Sequence, residues 1–432
     1  MVKPEAGWAR PPSVLEGGLG MEPCAPAALG VDGLPLVAER GCQYFRYVHS
    51  EGYAADQAAF VAAEASYDPA ALSALLHRRP FHVDTLLRLS ALHVQFGEFD
   101  MASLLLRRAL FVLESAWHPN FKPAAGSCRL QFAVPENRAL FRALAAHMRL
   151  LGRRGCSSTA FHVARLLLAL DPLQDPYGVM LVIDYYGLRA GEEAALGRLL
   201  SHASLGKPLL PNLAFSRALL ELRAGRRERA ESVLADALLL FPAAFAPLVH
   251  ACKLLEAQGK PPTTSVPAAY EVAAVDWAGL LADPLFAGAA ELTAEGLAQG
   301  AGLAGEAAQT VVRALQEAGA AAAAVEGAGG ESPVATAQRV LSREERLVEL
   351  FAERHAGLWG DPDAAALLGR AARQACEASA LLRAAGTARR IKALAGLAAE
   401  TRRYCRFRIS DVSDETVTMR RQDIGLAPLA GG

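Results

Sequence analysis

At 432 residues, with hydrophobic residues at 52% and aromatics at 7%, the chain is long enough for several domains or for one elongated repeat array. Lys+Arg 44 against Asp+Glu 45 leaves a net charge of -1, which excludes a global pull toward nucleic acid or an acidic membrane and makes any such contact local. The seven cysteines (Cys24, Cys42, Cys128, Cys156, Cys252, Cys376, Cys405) are scattered and form no CxxC pair, so a reducing compartment is expected and disulfides or structural zinc are not.

In chain order, residues 1–41 begin "MVKPEAGWARPPSVLEGG", which lacks an apolar h-region, so no signal peptide is predicted and the segment is expected to be irregular. Apolar runs such as Leu104 to Leu113 are cut by Arg107 and Arg108, so no membrane span is predicted and a soluble intracellular protein is expected. Alanine and leucine dominate while alternating β-branched runs are hard to find, which predicts an all-α fold.

Residues 42–256 read as a tetratricopeptide-like helical-repeat solenoid. Two short helical runs, ended at Asp68-Pro69 and Arg79-Pro80, cap it. In "DTLLRLSALHVQFGEFDMASLLLRRALFVLE", Leu86 and Leu89 face inward, Ser90 is small at the close approach, His93 takes a usually aromatic slot, and Ala102 opens the second helix after a turn near Gly97. Small residues recur at Ala160, Ala195 and Ala230, close to the ~34-residue tetratricopeptide period, except that the first interval is longer by roughly two dozen residues. Pro172 and Pro242 fall where repeat units end.

The long interval contains "HPNFKPAAGSCRLQFAVPENRALF", His118 to Phe141, read as an inserted recognition loop. Pro135 suits a first helical turn, with Glu136 complementing the N-terminal dipole, and Arg129 and Arg138 are expected to be the most exposed candidates for contact. Residues 257–341 read as a low-complexity Ala/Gly linker, either mobile or a frayed helix. Residues 342–432 read as a C-terminal helical and basic segment, with Leu347, Leu350 and Phe351 on one helix face.

Catalytic patterns are weak. "GAGLAG" (Gly300, Gly302, Gly305) matches a dinucleotide fingerprint, but no strand precedes it, so no cofactor is expected. No HExxH or GxSxG occurs. His82 and Asp84 could form a base and its orienting acid; the favoured reading makes Asp84 the N-cap of a helix starting at Thr85, with His82 packed at its entrance. Cys128 beside Arg129, with His118 and Asn137 nearby in sequence, could make a Cys-His-Asn set, but a buried structural cysteine fits better. A basic cluster (Arg383, Arg389, Arg390, Lys392, Arg402, Arg403, Arg406, Arg408) with interleaved Tyr404 and Phe407 has the composition of a surface that meets phosphates and stacks on bases. Its alternative is a solvated helix face.

"GCQYFRYVHSEGY", "RPFHVDTLLRLS", "AWHPNFKPAAGSCRLQFAVPENRALFRAL", "RRGCSSTAFHVARLLLALDPLQDPYGVMLVIDYYGLRA" and "LPNLAFSRAL" resemble, in order, motifs of the transcription factor 25 family over about Gly41 to Leu255. The matching positions are Phe81, His82, Asp84, His118, Pro119, Cys128, Arg129, Leu130, Pro135, Glu136, Asn137, Arg138, Gly155 and Cys156. The resemblance implies a non-enzymatic scaffold subunit of the ribosome quality control complex, acting on stalled large ribosomal subunits in ubiquitin-dependent clearance of nascent chains. It implies the large ribosomal subunit, an E3 ubiquitin ligase, an AAA ATPase and ubiquitin as partners; the basic cluster makes ribosomal RNA a candidate further contact, and no membrane partner is expected. The implied location is the cytoplasm, and also the nucleus. The family's alternative role is that of a nuclear transcriptional repressor acting through protein partners.

Overall fold

The computed structural model describes residues 3–5, 7–30, 36, 38–201, 209–260, 266–287, 305–326, 332–378, 403, 404 and 407. They are mostly helical and form two compact units, one built on Met1–Ile183 and the other on Asp184–Val412. The boundary falls inside the array read from sequence as 42–256.

The first unit holds a three-stranded sheet that the composition did not foretell: β1 (Leu19–Cys24), β2 (Gln43–His49) and β3 (Cys128–Leu130), in that order. β1 runs antiparallel to β2, with Leu19 opposite His49 and Cys24 opposite Tyr44, and β3 lies parallel to β2, with Gln43 opposite Cys128. The segment expected to be irregular therefore supplies a strand. β2 carries three buried aromatic side chains: Phe45 and Tyr47, two apart, share one face, and Tyr44 is buried on the other. Long-range pairing created this sheet; β1 and β3 carry little strand propensity of their own.

Around it pack α1 (Glu51–Ala65), α2 (Pro69–Arg78), α3 (Val83–Gln95), α4 (Phe99–Ser115), α5 (Arg138–Arg153) and α6 (Ser157–Leu170). Local signals set their ends. Ser50 caps α1 by accepting from the Tyr53 N–H, and Asp68 caps α2 by accepting from the Ala70 N–H, with Pro69 at the first helical position. α3 and α4 form a hairpin whose close approach is held by Ser90, whose hydroxyl donates to the Ala102 carbonyl at 2.7 Å.

The second unit begins with α7 (Ile183–Ala190), α8 (Glu193–Leu200), α9 (Pro211–Arg223), α10 (Arg227–Leu240), α11 (Phe245–Ala251) and α12 (Leu254–Ala257). It continues through α13 (Pro267–Ala274), α14 (Trp277–Ala282), α15 (Pro284–Ala287), α16 (Glu306–Glu326), α17 (Pro333–Trp359) and α18 (Pro362–Glu377). Within residues 257–341, where sequence favoured a linker, Glu306–Glu326 is helical and buries Leu315 and Ala322 against α17. α17 and α18 build the core with α9, α10 and α11: Phe351 and Trp359 pack on Phe215. α18 presents a face of small residues so tightly seated that a methyl added at Gly369 would lie 2.7 Å from Val275. Among the described residues no single helix is long and apolar enough to cross a membrane.

One turn recurs through both units. The hairpins α3–α4, α5–α6, α7–α8 and α9–α10 each turn on a glycine at positive φ: Gly97 (77°), Gly155 (75°), Gly191 (71°) and Gly225 (76°). In each, the following residue donates back to a carbonyl one turn earlier (Glu98 to His93, Cys156 to Leu151, Glu192 to Gly187, Arg226 to Glu221), the pattern of a helix closed by a left-handed residue. Ala102, Ala160 and Ala230 are buried as expected, while Ala195 is only half-buried and Leu196 takes the interior position in α8.

Candidate functional site

The insert, residues 116–137 between α4 and α5, is tied down along its length. Phe121 packs edge-on against Phe45 (5.2 Å between centroids) and Trp117 (5.1 Å). Trp117 Nε1 donates to the Tyr47 hydroxyl at 2.9 Å, which donates to the Leu113 carbonyl at 3.2 Å. His118 stacks beside Phe45, and its Nδ1 accepts from the Asn120 N–H at 3.1 Å, while Pro119 is exposed.

The thiol of Cys128 accepts from the Lys122 N–H at 3.3 Å and faces the Asn120 carbonyl at 3.7 Å. Asn137, fully buried, spends its amide on the backbone: Oδ1 accepts from the Tyr47 N–H at 3.0 Å, and Nδ2 donates to the carbonyls of Gln131 (3.0 Å) and Phe45 (3.4 Å). Cys128, His118 and Asn137 therefore serve three separate structural contacts instead of a nucleophilic set.

Arg129 is not an exposed contact residue. It is 9% exposed and forms a bidentate pair with Glu39 (Nε to Oε1 2.9 Å, NH2 to Oε2 2.8 Å), with NH1 donating to the Gly126 carbonyl at 2.8 Å. The parallel strand pairing turns its side chain toward the segment before β2, where a carboxylate compensates its burial. Arg138 is half-buried, its Nε donating to the Phe132 carbonyl at 3.1 Å and its guanidinium lying over the Phe132 ring.

The helix start after Arg79 also differs from expectation. His82, not Asp84, is the N-cap of α3: its Nδ1 accepts from the Thr85 N–H at 3.3 Å and lies 2.8 Å from Thr85 Oγ1, which sets the proton on Nε2, 3.1 Å from Gln57 Oε1. Burial pushes His82 below its ordinary pKa, in keeping with a neutral ring. Asp84 then sits within the first turn, where the helix dipole favours its charge, and pairs with Arg142 of α5 at 2.6 Å. His82 and Asp84 do not form a base and its orienting acid. Phe81 lies half-buried under the Arg108 guanidinium.

These contacts enclose a cavity of about 370 Å³ between β2, α1, α3 and the end of the insert. Asp84, Pro135, Glu136 and Arg138 line it, together with His49, Tyr53, Gln57 and Arg142, which sequence reasoning did not single out. Pro135–Asn137 is a 3-10 turn and α5 starts at Arg138, so the predicted helix start lies three residues further on. His49 is held below its ordinary pKa by burial. The Tyr53 hydroxyl accepts from the Val83 N–H at 3.0 Å, and burial raises its pKa. The cavity offers aromatic edges, a histidine whose neutral form burial favours, and two carboxylates, Asp84 and Glu136, beside the guanidinium groups of Arg138 and Arg142: a recognition surface, with no activated nucleophile among its lining residues.

Of the basic cluster, Arg383, Arg389, Arg390, Lys392, Arg402, Arg406 and Arg408 lie outside the described residues, as do Gly300 and Gly302 of "GAGLAG". Arg403 is half-buried with its guanidinium over the Tyr404 ring. Tyr404 (1% exposed) and Phe407 (8%) are core residues, so neither ring is open to stack on a base.

A further cluster was missed. In the second unit Asp184 of α7, Asn212 and Ser216 of α9 and His355 of α17 form one buried network. Asp184 and Asn212-to-Ser216 fall inside "IDYYGLRA" and "LPNLAFSRAL", where an acid set directly against the apolar run Val179 to Ile183 was the available signal.

A family model described as "Transcriptional repressor TCF25" matches residues 45–271. The chain is 35% identical over 235 residues to "Ribosome quality control complex subunit TCF25" of Homo sapiens, covering 51% of this chain and 34% of that protein. It is 34% identical over 221 residues to "Ribosome quality control complex subunit 1" of Schizosaccharomyces pombe, covering 51% and 31%. It is 39% identical over 143 residues to "Probable transcription factor claV" of Ampulloclitocybe clavipes, covering 33% and 18%. The chain thus spans about a third or less of the length of these curated relatives, and no solved structure matches it. The family match runs across most of β2, the insert and the first twelve helices, and so takes in most of the residues that line the cavity; this chain belongs to the Tcf25 family.

Proposed function

We propose that this chain is a non-enzymatic scaffold module in ribosome quality control, contributing to ubiquitin-dependent clearance of nascent chains from stalled large ribosomal subunits. The observation that carries this is the alignment of half the chain with human and fission-yeast proteins named as subunits of that complex. The polar groups of Cys128, His118 and Asn137 are occupied by structural bonds, which favours a scaffold over an enzyme.

The hairpins with a shared glycine turn support a tetratricopeptide-like array, whose natural work is holding partners. The E3 ligase, the AAA ATPase, ubiquitin and the ribosome are the proposed partners, met through the rim of Pro135, Glu136 and Arg138 and through the C-terminal basic cluster, where ribosomal RNA is the proposed phosphate source. Cytoplasm is the proposed location, with nucleus as the second. Co-sedimentation with large ribosomal subunits after induced stalling tests this: the chain is expected in that fraction, and its absence while the ligase is present refutes the proposal.

The names "Transcriptional repressor" and "Probable transcription factor" among the matches favour a second reading, a nuclear regulator acting through protein partners. Exclusive nuclear localisation without stalling-dependent ribosome association would support it.

A further inference from the structure

A second and larger cavity, of about 470 Å³, shares Asp84 and Arg142 with the first and is bounded by α1, α3 and α5 of the same unit. Its lining is two-sided in chemistry. Leu87, Leu106 and Leu150, all buried, form an apolar floor, and exposed Ala91 leaves room above it. Arg88, Arg142, Arg149 and Arg153 stand on the rim against only two acids, Glu64 and Asp84.

Both acids are already engaged, Glu64 with Arg88 at 3.2 Å and Asp84 with Arg142 at 2.6 Å. Arg153 lies over the Phe99 ring at 3.8 Å. Arg149 is half-buried and, among the described residues, has no hydrogen bond or ion pair. A guanidinium partly withdrawn from water beside an apolar floor invites an anion that also carries apolar groups.

We propose that this groove docks an acidic peptide segment of a partner protein, its carboxylates on the rim arginines and its apolar side chains on the Leu87–Leu106–Leu150 floor. The volume falls within the range of roughly 300–1,000 Å³ usual for ligand sites. Charge complementarity selects acid over base. The floor selects peptide over nucleic acid: a single strand held in a basic groove needs exposed aromatic rings to stack on, and here the rings are buried Phe60 and half-buried Tyr177. The groove needs no ribosome to act, so this stands or falls separately from the proposed function.

Selection of phage-displayed random short peptides on the full chain tests it, with Arg149→Glu and Ala91→Trp as variants. Arg149 has no bond to lose and Ala91 is exposed, so circular dichroism is expected to be unchanged for both. Retained peptides are expected to be rich in Asp and Glu flanking Leu or Phe. Their affinity, measured by fluorescence anisotropy, should fall about tenfold or more with Arg149→Glu, and by a similar factor with Ala91→Trp, whose indole fills the floor. Only the charge component should weaken with added salt. The proposal is overturned if no peptides are enriched, if the retained set is neutral or basic, if both variants retain the same set at equal affinity, or if a single-stranded RNA oligonucleotide binds and is lost with the same two variants.

Discussion

Asp184 and His355, 171 positions apart in the chain, meet in the fully buried interior of the second unit with Nε2 3.0 Å from Oδ2. His355 Nδ1 faces the Phe351 carbonyl at 3.1 Å, so both ring nitrogens point at acceptors. Asp184 also accepts from the Ser216 hydroxyl (2.6 Å) and the Asn212 amide (2.9 Å). Burial by itself would raise its pKa, but the charge and hydrogen bond of His355, with the bonds of Ser216 and Asn212, outweigh it and hold the carboxyl below its ordinary value.

Removing the Asp184 carboxylate leaves the buried groups of Ser216, Asn212 and His355 without their shared partner. Asp184→Asn should destabilise the second unit by about 3–5 kcal/mol in urea unfolding. The stability Asp184 contributes is present above its unfolded pKa of about 3.9 and is lost as pH falls through the lower folded value. Wild type should therefore lose its advantage over Asp184→Asn in acid; an advantage that is the same at pH 2 and pH 7 would contradict this.

Asp171 behaves oppositely. It accepts from the N–H groups of Phe132 (3.0 Å) and Gln174 (3.3 Å), yet burial dominates and pushes its pKa up to about 6. A raised folded pKa means its contribution is present below the unfolded value and is lost as pH rises through about 6. Relative to Asp171→Asn, wild type should lose about 3 kcal/mol between pH 4 and pH 8, an order of magnitude from roughly two pKa units at 1.36 kcal/mol each. Parallel pH profiles of the two denaturation midpoints would refute it.

Asn137 links β2 to the insert through three backbone groups that have no water to turn to. Asn137→Ala should cost about 3 kcal/mol or more, because buried donors and acceptors are left unpaired. Thermal unfolding followed by Trp117 fluorescence checks this, since that ring reports on the same β2 edge through Tyr47.

Arg129→Ala should cost about 2 kcal/mol, the usual scale for hydrogen bonds to a charged group, and should expose residues 122–127 to limited proteolysis. Glu39→Gln should reproduce part of the effect. Unchanged proteolysis in both would show that the pair does not hold the insert.

Local chemistry was legible in the sequence. Asp68-Pro69 marked the end of one helical run, though not that Asp68 caps the next, and the hydrophobic spacing marked the hairpins, because helix breaks and helical periodicity involve residues within a turn of one another. The extra length of the first repeat interval located the insert for the same reason. His82 shows where this ends: a histidine cap competes with a nearby aspartate, and the choice depended on Gln57, in another helix, receiving the second ring nitrogen. Arg129 was read as a contact residue because an arginine in a loop is usually solvated, and only Glu39, distant in sequence, makes its burial tolerable.

Sequence by itself determined that the chain is mainly helical, where its hairpins turn, and which family it resembles, since propensity, periodicity and motif order are written in short range. Tertiary structure alone decided the three-stranded sheet, the burial of Tyr404 and Phe407, the Asp184–His355 pair and the two cavities that share Asp84 and Arg142. Each depends on side chains separated by tens to hundreds of positions, and whether such a group meets water, a counter-charge or an apolar wall is settled only when the chain has closed around it.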